Sequence, residues 1–254
     1  MTSIKTNIIH IGLLAAMKEE LGAILENLVN TKIKKYGDLE IYSGEWNKQS
    51  NQKLIISIAW SGWGKISASR AATRLISTTY QKRKVDLIIF SGVAGAVESS
   101  LNQWDIVLSE AIIQHDMDAR PLYEKFVIPS LNQKKIKPNS ETLEKFYKII
   151  SNGIKTKKLS SFGSIYKGLI ATGDMFISDN EKIKDLSQEI PSLLAVEMEG
   201  AALAQVAYQE KIDWIIIRVI SDSANEKAED DFSAFITKYQ YRSLDLLEYI
   251  LSKF

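Results

Sequence analysis

Long apolar runs recur along this chain with amphipathic segments between them, and that alternation restricts the fold more than any other feature. "NIIHIGLLAA", "KLIISIAWSG", "DLIIFSG", "WDIVLSEAIIQ", "SIYKGLIAT" and "DWIIIRVIS" are rich in Ile, Leu and Val. They lack the apolar–polar alternation of a strand with one wet face, so they read as strands buried on both faces. "LEIYSGEW" adds a further strand. Helical spacing fills the intervals: a helix from about Lys18 to Leu28, then "KISASRAATRLISTTY", then "NSETLEKFYKIISNG". The last of these opens on a capping box at Ser140, with Glu144 one place late, and closes on a glycine. "SDNEKIKDLSQEI", stopped by Pro191, "GAALAQVAYQE" and the C-terminal "DDFSAFITKYQYRSLDLLEYILSKF" complete the set. Buried strands between helices imply an α/β fold whose mostly parallel sheet is covered on both faces.

The chain has 254 residues and no repeat or linker-like tract, so one domain over residues 1–254 is expected. Such a length buries a core without disulfide or metal staples. The absence of cysteine removes thiolate nucleophiles and Cys-based zinc sites from consideration. The two histidines, His10 and His115, do not make a His-rich metal site, and neither cofactor nor metal is expected. A net charge of +1 gives no polyanion-binding surface, so no nucleic-acid partner is expected; "KIKK" and "KTKK" read as solvated loops. The first apolar run is too short to span a membrane and has no small-residue cleavage site after it. It reads as a core strand of a cytoplasmic protein.

In folds of this class ligands sit at the carboxyl ends of the strands. Those ends read "AAMKEE", "SGWGK", "SGVAG", "TGDMF", "VEMEG" and "ISDSAN". "SGWGK" imitates a phosphate loop, but Ala59 stands at the earlier glycine position and Ile66 at the Ser/Thr position. "SGVAGAV" is not G-x-G-x-x-G, no G-x-S-x-G elbow occurs, and His115 is the only candidate triad base. The chemically capable groups left are Glu19, Glu20, Asp174, Glu197, Glu199 and Asp222. Each also has a structural reading. Glu19, Glu20 and Glu199 suit helix starts, and Asp174 and Asp222 suit turns. Arg218, inside "IIIRVIS", needs a buried partner that Glu197 can supply. What favours chemistry is that several of these carboxylates fall on one rim.

Read together, "IGLLAAMKEEL", "SGWGKISAS", "DLIIFSGVAGAV", "WDIVLSEAIIQHDMD", "GLIATGDMFI", "AVEMEGAALAQVA" and "IIIRVISDSAN" resemble the 5′-methylthioadenosine/S-adenosylhomocysteine nucleosidases of the purine nucleoside phosphorylase and uridine phosphorylase superfamily. The resemblance implies a three-layer α/β/α domain with a central, mostly parallel mixed sheet, usually paired as a twofold homodimer. It implies a small-molecule nucleoside as substrate and water as co-substrate. By the same resemblance Asp222 is the general acid at adenine N7, supported by Ser221, and Glu20 positions or deprotonates the attacking water. An ionised Glu199 binds the ribose hydroxyls and Met198 lies against the sugar. Phe176 stacks on the base while the backbone of Ile177 reads its edge, and Ala94 and Gly95 line the sugar–base pocket. Glu197 pairs with Arg218.

Departures from the family pattern cluster where a 5′-substituent would lie. Ala15 replaces a common glycine, Trp63 a small aliphatic residue and Met175 a small residue, and "HDMDARPLYEKFVIPSLNQ" is unfamiliar after "HD". Met117, Leu122, Tyr123 and Phe126 in that segment read as an apolar interface patch, and the resemblance implies that this region contributes to the partner's 5′ pocket. The alternatives are a nucleosidase for another nucleoside such as aminodeoxyfutalosine, a phosphorylase, and a non-catalytic nucleoside binder. A phosphorylase requires a basic phosphate cradle; Lys18 is the one candidate after the first strand, and Glu20 beside it would repel phosphate.

Overall fold

The computed structural model describes residues 8–224 and 228–254. The chain runs β1 (Ile8–Ala15), two 3-10 turns (Lys18–Glu20 and Ile24–Asn27), β2 (Leu28–Tyr36), β3 (Leu39–Trp46), β4 (Lys53–Trp60) and α1 (Lys65–Ile76). It continues through β5 (Thr79–Tyr80), β6 (Arg83–Lys84), β7 (Leu87–Ala96), β8 (Ile106–Gln114), β9 (Lys135–Ile136) and α2 (Ser140–Lys155). The rest is β10 (Ile165–Thr172), α3 (Asn180–Glu189), β11 (Leu193–Glu197), α4 (Gly200–Glu210), β12 (Asp213–Asp222) and α5 (Ala228–Leu251).

The main sheet has the order β11-β10-β8-β12-β7-β1-β4-β3-β2, and its central run β12-β7-β1-β4 is parallel. Both faces are covered, as the continuous apolar runs require. Along β1, Ile11, Leu13 and Ala15 pack with Phe146 of α2 and Phe235 and Leu246 of α5. Leu14 points the other way, toward Leu75 of α1 and Leu203 of α4. At one end the sheet curls on itself: β11 pairs parallel with β10 and antiparallel with β7, through Ala195–Ala96 and Val196–Gly95. That closure brings the carboxyl ends of β7, β11 and β12 together.

Three local expectations are corrected. The segment from Lys18 to Leu28 is two short turns rather than one helix. Gly22 breaks it at φ +55°, and a Cβ there would lie 2.5 Å from the Gln240 carbonyl oxygen of α5. "KIKK" lies in β2 rather than in a loop; β2 is an edge strand exposed along almost its whole length, where lysines discourage pairing with another chain. The cap of α2 is Asn139, whose side chain accepts from the amides of Glu141 (2.8 Å) and Thr142 (3.4 Å). Gly153 lies inside that helix, where a Cβ would meet Leu159 and Tyr249 at 2.7 Å, so it serves packing rather than termination.

The expected apolar patch divides. Leu122 is 85% exposed and Tyr123 39% exposed, Met117 is half-buried, and Phe126 is buried against Leu169 and Ile113 in a core under α3. Among the described residues no helix is long and apolar enough to cross a membrane.

Candidate active site

A cleft of about 580 Å³ opens over the carboxyl ends of β1, β7, β11 and β12. Glu20, Ala94, Gly95, Phe176, Ile177, Met198, Glu199, Ser221 and Asp222 all line it. The structure therefore gathers every expected site residue, drawn from positions 20 to 222, around one cavity.

Glu20 is buried, and its short turn explains how. Having left β1, the chain folds back so that Glu20 Oε2 accepts from the amides of Ala16 (2.8 Å) and Met17 (2.9 Å), while Oε1 accepts from Val93 (3.1 Å) at the end of β7. Burial raises its pKa above the ordinary carboxylate value, with the Arg218 charge and the three amides opposing. Glu19, by contrast, is exposed. The helix-start reading thus holds for neither as a full account: one is solvated and the other is clamped in a cleft.

Arg218 lies beneath the floor, behind Glu197. It is 1% exposed, stacks 4.1 Å over the Phe90 ring, and donates to Glu197 Oε2 from Nη2 (2.5 Å) and Nε (3.2 Å). Glu197 also takes the amides of Gly200 (2.8 Å) and Glu199 (3.2 Å) and the Thr172 hydroxyl. It is both the partner of Arg218 and the cap of α4. A buried charge held by this many donors is the satisfied arrangement that burial demands. The remaining Arg218 nitrogen, Nη1, has no hydrogen-bond partner among the described residues and faces Glu20 Oε1 across Gly92. A Cβ at Gly92 would lie 2.5 Å from Nη1 and 2.6 Å from that oxygen, so only glycine leaves both groups in place.

Glu199 occupies the N-cap position of α4, yet its carboxylate reaches the turn before α1 instead, accepting from the Gly64 amide at 2.8 Å. Burial, and then the neighbouring charge of Glu197, push it up to about 8. The resemblance implied an ionised Glu199; burial beside Glu197 shifts the free group toward its protonated form, because two carboxylates share one buried guanidinium region. Asp222 is held by its neighbours: Oδ2 accepts from Ser221 Oγ (2.6 Å) and Oδ1 from the Ala224 amide (2.8 Å). Ser221 Oγ also lies 3.3 Å from the Ala94 carbonyl oxygen. Burial raises the Asp222 pKa above the ordinary carboxylate value, with the Ser221 hydroxyl and the Ala224 amide opposing. Gly95 makes this possible, since a Cβ there would sit 2.9 Å from Asp222 Oδ1.

The mouth of the cleft is apolar. Trp63, Met175 and Phe176 line it at 54%, 41% and 40% exposure. Phe232 of α5 stands between two of them, with ring centroids 6.3 Å from Trp63 and 5.9 Å from Phe176. Phe232 was not foreseen, nor were the amides of Ala16, Met17, Gly64 and Val93. Backbone donors carry no sequence signal, and Phe232 sits in an amphipathic helix that reads equally well as core packing. No Lys or Arg is among the described residues that line the cleft. Lys18 is exposed and lies 5.8 Å over the Trp60 ring.

Comparison with known proteins agrees with this geometry. Residues 10–252 match the Phosphorylase superfamily. The 5′-methylthioadenosine/S-adenosylhomocysteine nucleosidase of Staphylococcus aureus (strain bovine RF122 / ET3-1) is 32% identical over 244 residues, covering 96% of this chain and 99% of that one. The S-adenosylhomocysteine nucleosidase of Streptococcus pyogenes, solved in complex with 5-methylthiotubericidin, superposes with a TM-score of 0.83 at 29% identity and 98% coverage of both chains. The futalosine hydrolase of Helicobacter pylori superposes at 0.80 with 28% identity, over 95% of this chain and 97% of that one. With this likeness along nearly its whole length, the chain belongs to the phosphorylase superfamily and, within it, to the 5′-methylthioadenosine/S-adenosylhomocysteine nucleosidase family.

Proposed function

We propose that the protein hydrolyses the N-glycosidic bond of 5′-substituted adenosines, methylthioadenosine and adenosylhomocysteine among them, to adenine and the free 5′-substituted ribose. The observation that carries this reading is the polarity of the cleft: carboxylates at both ends of the reacting bond and no basic side chain to hold a phosphate nucleophile. Cleavage builds positive charge on the sugar and negative charge on the departing base. Asp222, whose proton affinity burial raises, delivers a proton to N7, a contribution of about 10²–10⁴-fold. Glu20 flanks the place from which water attacks the anomeric carbon and accepts the proton that water loses. Glu199 hydrogen-bonds to the ribose hydroxyls, and its carboxyl oxygens face the sugar cation as it develops. That interaction strengthens toward the transition state, which is what catalysis requires. Met198 lies against the sugar, Phe176 stacks on the adenine, and the Ile177 backbone reads its edge. Nothing in this sequence of steps calls for a metal or a covalent intermediate.

The Trp63–Met175–Phe232 mouth supports a second substrate reading, that of a nucleosidase for a larger 5′-substituted nucleoside, in line with the likeness to a futalosine hydrolase. Adenine release from methylthioadenosine, adenosylhomocysteine, 5′-deoxyadenosine and aminodeoxyfutalosine, each with and without phosphate, tests both. Phosphate-independent release of adenine is expected. A rate that requires phosphate would overturn the hydrolase assignment. The exposed Leu122 and Tyr123 support a homodimer in which this segment meets the partner, and sedimentation as a fully active monomer at micromolar concentration would exclude it. The cytoplasm is the compartment proposed for it.

A further inference from the structure

The Gly64 amide that holds Glu199 belongs to a turn with little means of its own to stay in place. Gly62 and Gly64 both adopt positive φ, +79° and +90°, on either side of the half-exposed Trp63. Gly64 is the N-cap of α1 and has no side chain with which to cap it. The cap comes from elsewhere. Asp174 Oδ1, just past β10, accepts from the Lys65 amide at 2.7 Å. The Asp174 amide in turn donates to Asp116 Oδ2 at 3.0 Å, and Asp116 Oδ1 takes the Lys65 ammonium at 2.6 Å. Lys65 Nζ also reaches Gln114 Oε1 at 3.2 Å. The three residues form a closed circuit that ties the β4–α1 turn to the ends of β8 and β10. The circuit touches the cleft only through backbone. One side presents the Gly64 amide to Glu199, and the other leads directly into Met175 and Phe176.

We propose that Asp174, Asp116 and Lys65 are positioning residues that hold the Gly64 amide on Glu199 Oε1 and so set the ribose-binding geometry. The inference deepens the nucleosidase reading, but its test does not depend on turnover. In Asp174→Ala the turn loses its anchor and the Glu199 carboxylate loses its backbone donor. The groups facing Glu199, namely Glu197, Glu20 and Arg218, are unchanged. A ¹³C NMR titration of the Glu199 side-chain carboxyl, without substrate, should then move upward by about one pH unit. Simple removal of the Asp174 charge would move it the opposite way, because one fewer negative neighbour favours ionisation. Asp174→Asn keeps an oxygen acceptor for the Lys65 amide, so its titration should stay near wild type or slightly below. Lys65→Met breaks the same circuit from the other side and should also shift the titration upward, a direction that loss of its own positive charge favours as well, so Asp174→Ala is the deciding variant. In turnover, Asp174→Ala should raise KM about tenfold with a smaller fall in kcat, and Asp174→Asn should restore most of it. An unchanged or lowered Glu199 titration in Asp174→Ala would overturn the proposal, whatever its stability. So would Asp174→Asn as impaired as Asp174→Ala. If adenine release were absent from the wild type while the titrations behaved as stated, the substrate reading would fail and the positioning role would stand.

Discussion

The floor and the mouth of the cleft are built on opposite terms. At the floor, Arg218 and Glu197 are almost fully buried, and Glu197 alone collects two guanidinium contacts, two amides and a hydroxyl. At the mouth, Trp63, Met175 and Phe176 are each at least 40% exposed, and Trp63 and Phe176 meet Phe232 through ring contacts rather than hydrogen bonds. A buried charge tolerates no missing partner. An apolar wall tolerates exchange, since neighbouring side chains of similar size fill the same role. The chemistry is therefore fixed at the floor and the rim of strand ends, while the mouth is free to vary with the 5′-substituent. The departures Trp63 and Met175 fall at the mouth.

The sharpest test of this division is Asp222→Asn, which keeps shape and hydrogen bonding but removes the proton. It should lower kcat by about 10²–10⁴-fold with substrate still bound, measured by steady-state adenine release. A near-wild-type kcat would falsify the acid role. Arg218→Met comes next. It leaves Glu197 buried without its cation and should cost about 3–5 kcal/mol, read as a drop of roughly 6–20 °C in Tm. A loss below 1 kcal/mol would show that the floor is far less coupled than its geometry states.

Glu199→Gln probes the link between floor and rim. With its pKa raised to about 8, native Glu199 holds more proton than the unfolded chain between the ordinary carboxylate pKa and about pH 8. The contribution to stability is thus present at acid pH and is lost as pH rises through that window. The variant lacks this loss, so its Tm relative to wild type should climb by several degrees from pH 5 to pH 9, followed by calorimetry. A difference that stays flat with pH removes the raised pKa. Trp63→Ile should have the smallest effect. It should shift the ratio of KM values for long and short 5′-substituents by a few-fold and leave kcat within about twofold. A large loss of kcat in Trp63→Ile would erase the distinction between floor and mouth.

The legibility of the site in the sequence varied with the kind of group. Asp222, Glu20 and Glu199 stood out because carboxylates at buried strand ends are rare and costly. Arg218 announced its need for a partner because it interrupts "IIIRVIS", and Glu197 answered it. The strands β1, β4, β7, β8, β10 and β12 were readable because burial on both faces leaves an apolar run with no other explanation. β2 was missed because an exposed edge strand has no buried face and so no period. The helix expected after Lys18 failed for the opposite reason: its spacing was right, but Gly22 yields to the backbone of α5.

Determined by the sequence alone were the layered α/β class, the strand-end placement of the carboxylates, and the exclusion of thiol chemistry, since each follows from local pattern or composition. Tertiary structure alone decided which backbone amides meet those carboxylates, that β11 closes against β7, and that Phe232 reaches the mouth from a distant helix. It also decided the proton affinities. Glu199 is a carboxylate in any chain; only burial beside Glu197 moves it to about 8, because desolvation and neighbouring charge are properties of a place in space and not of a position in the sequence.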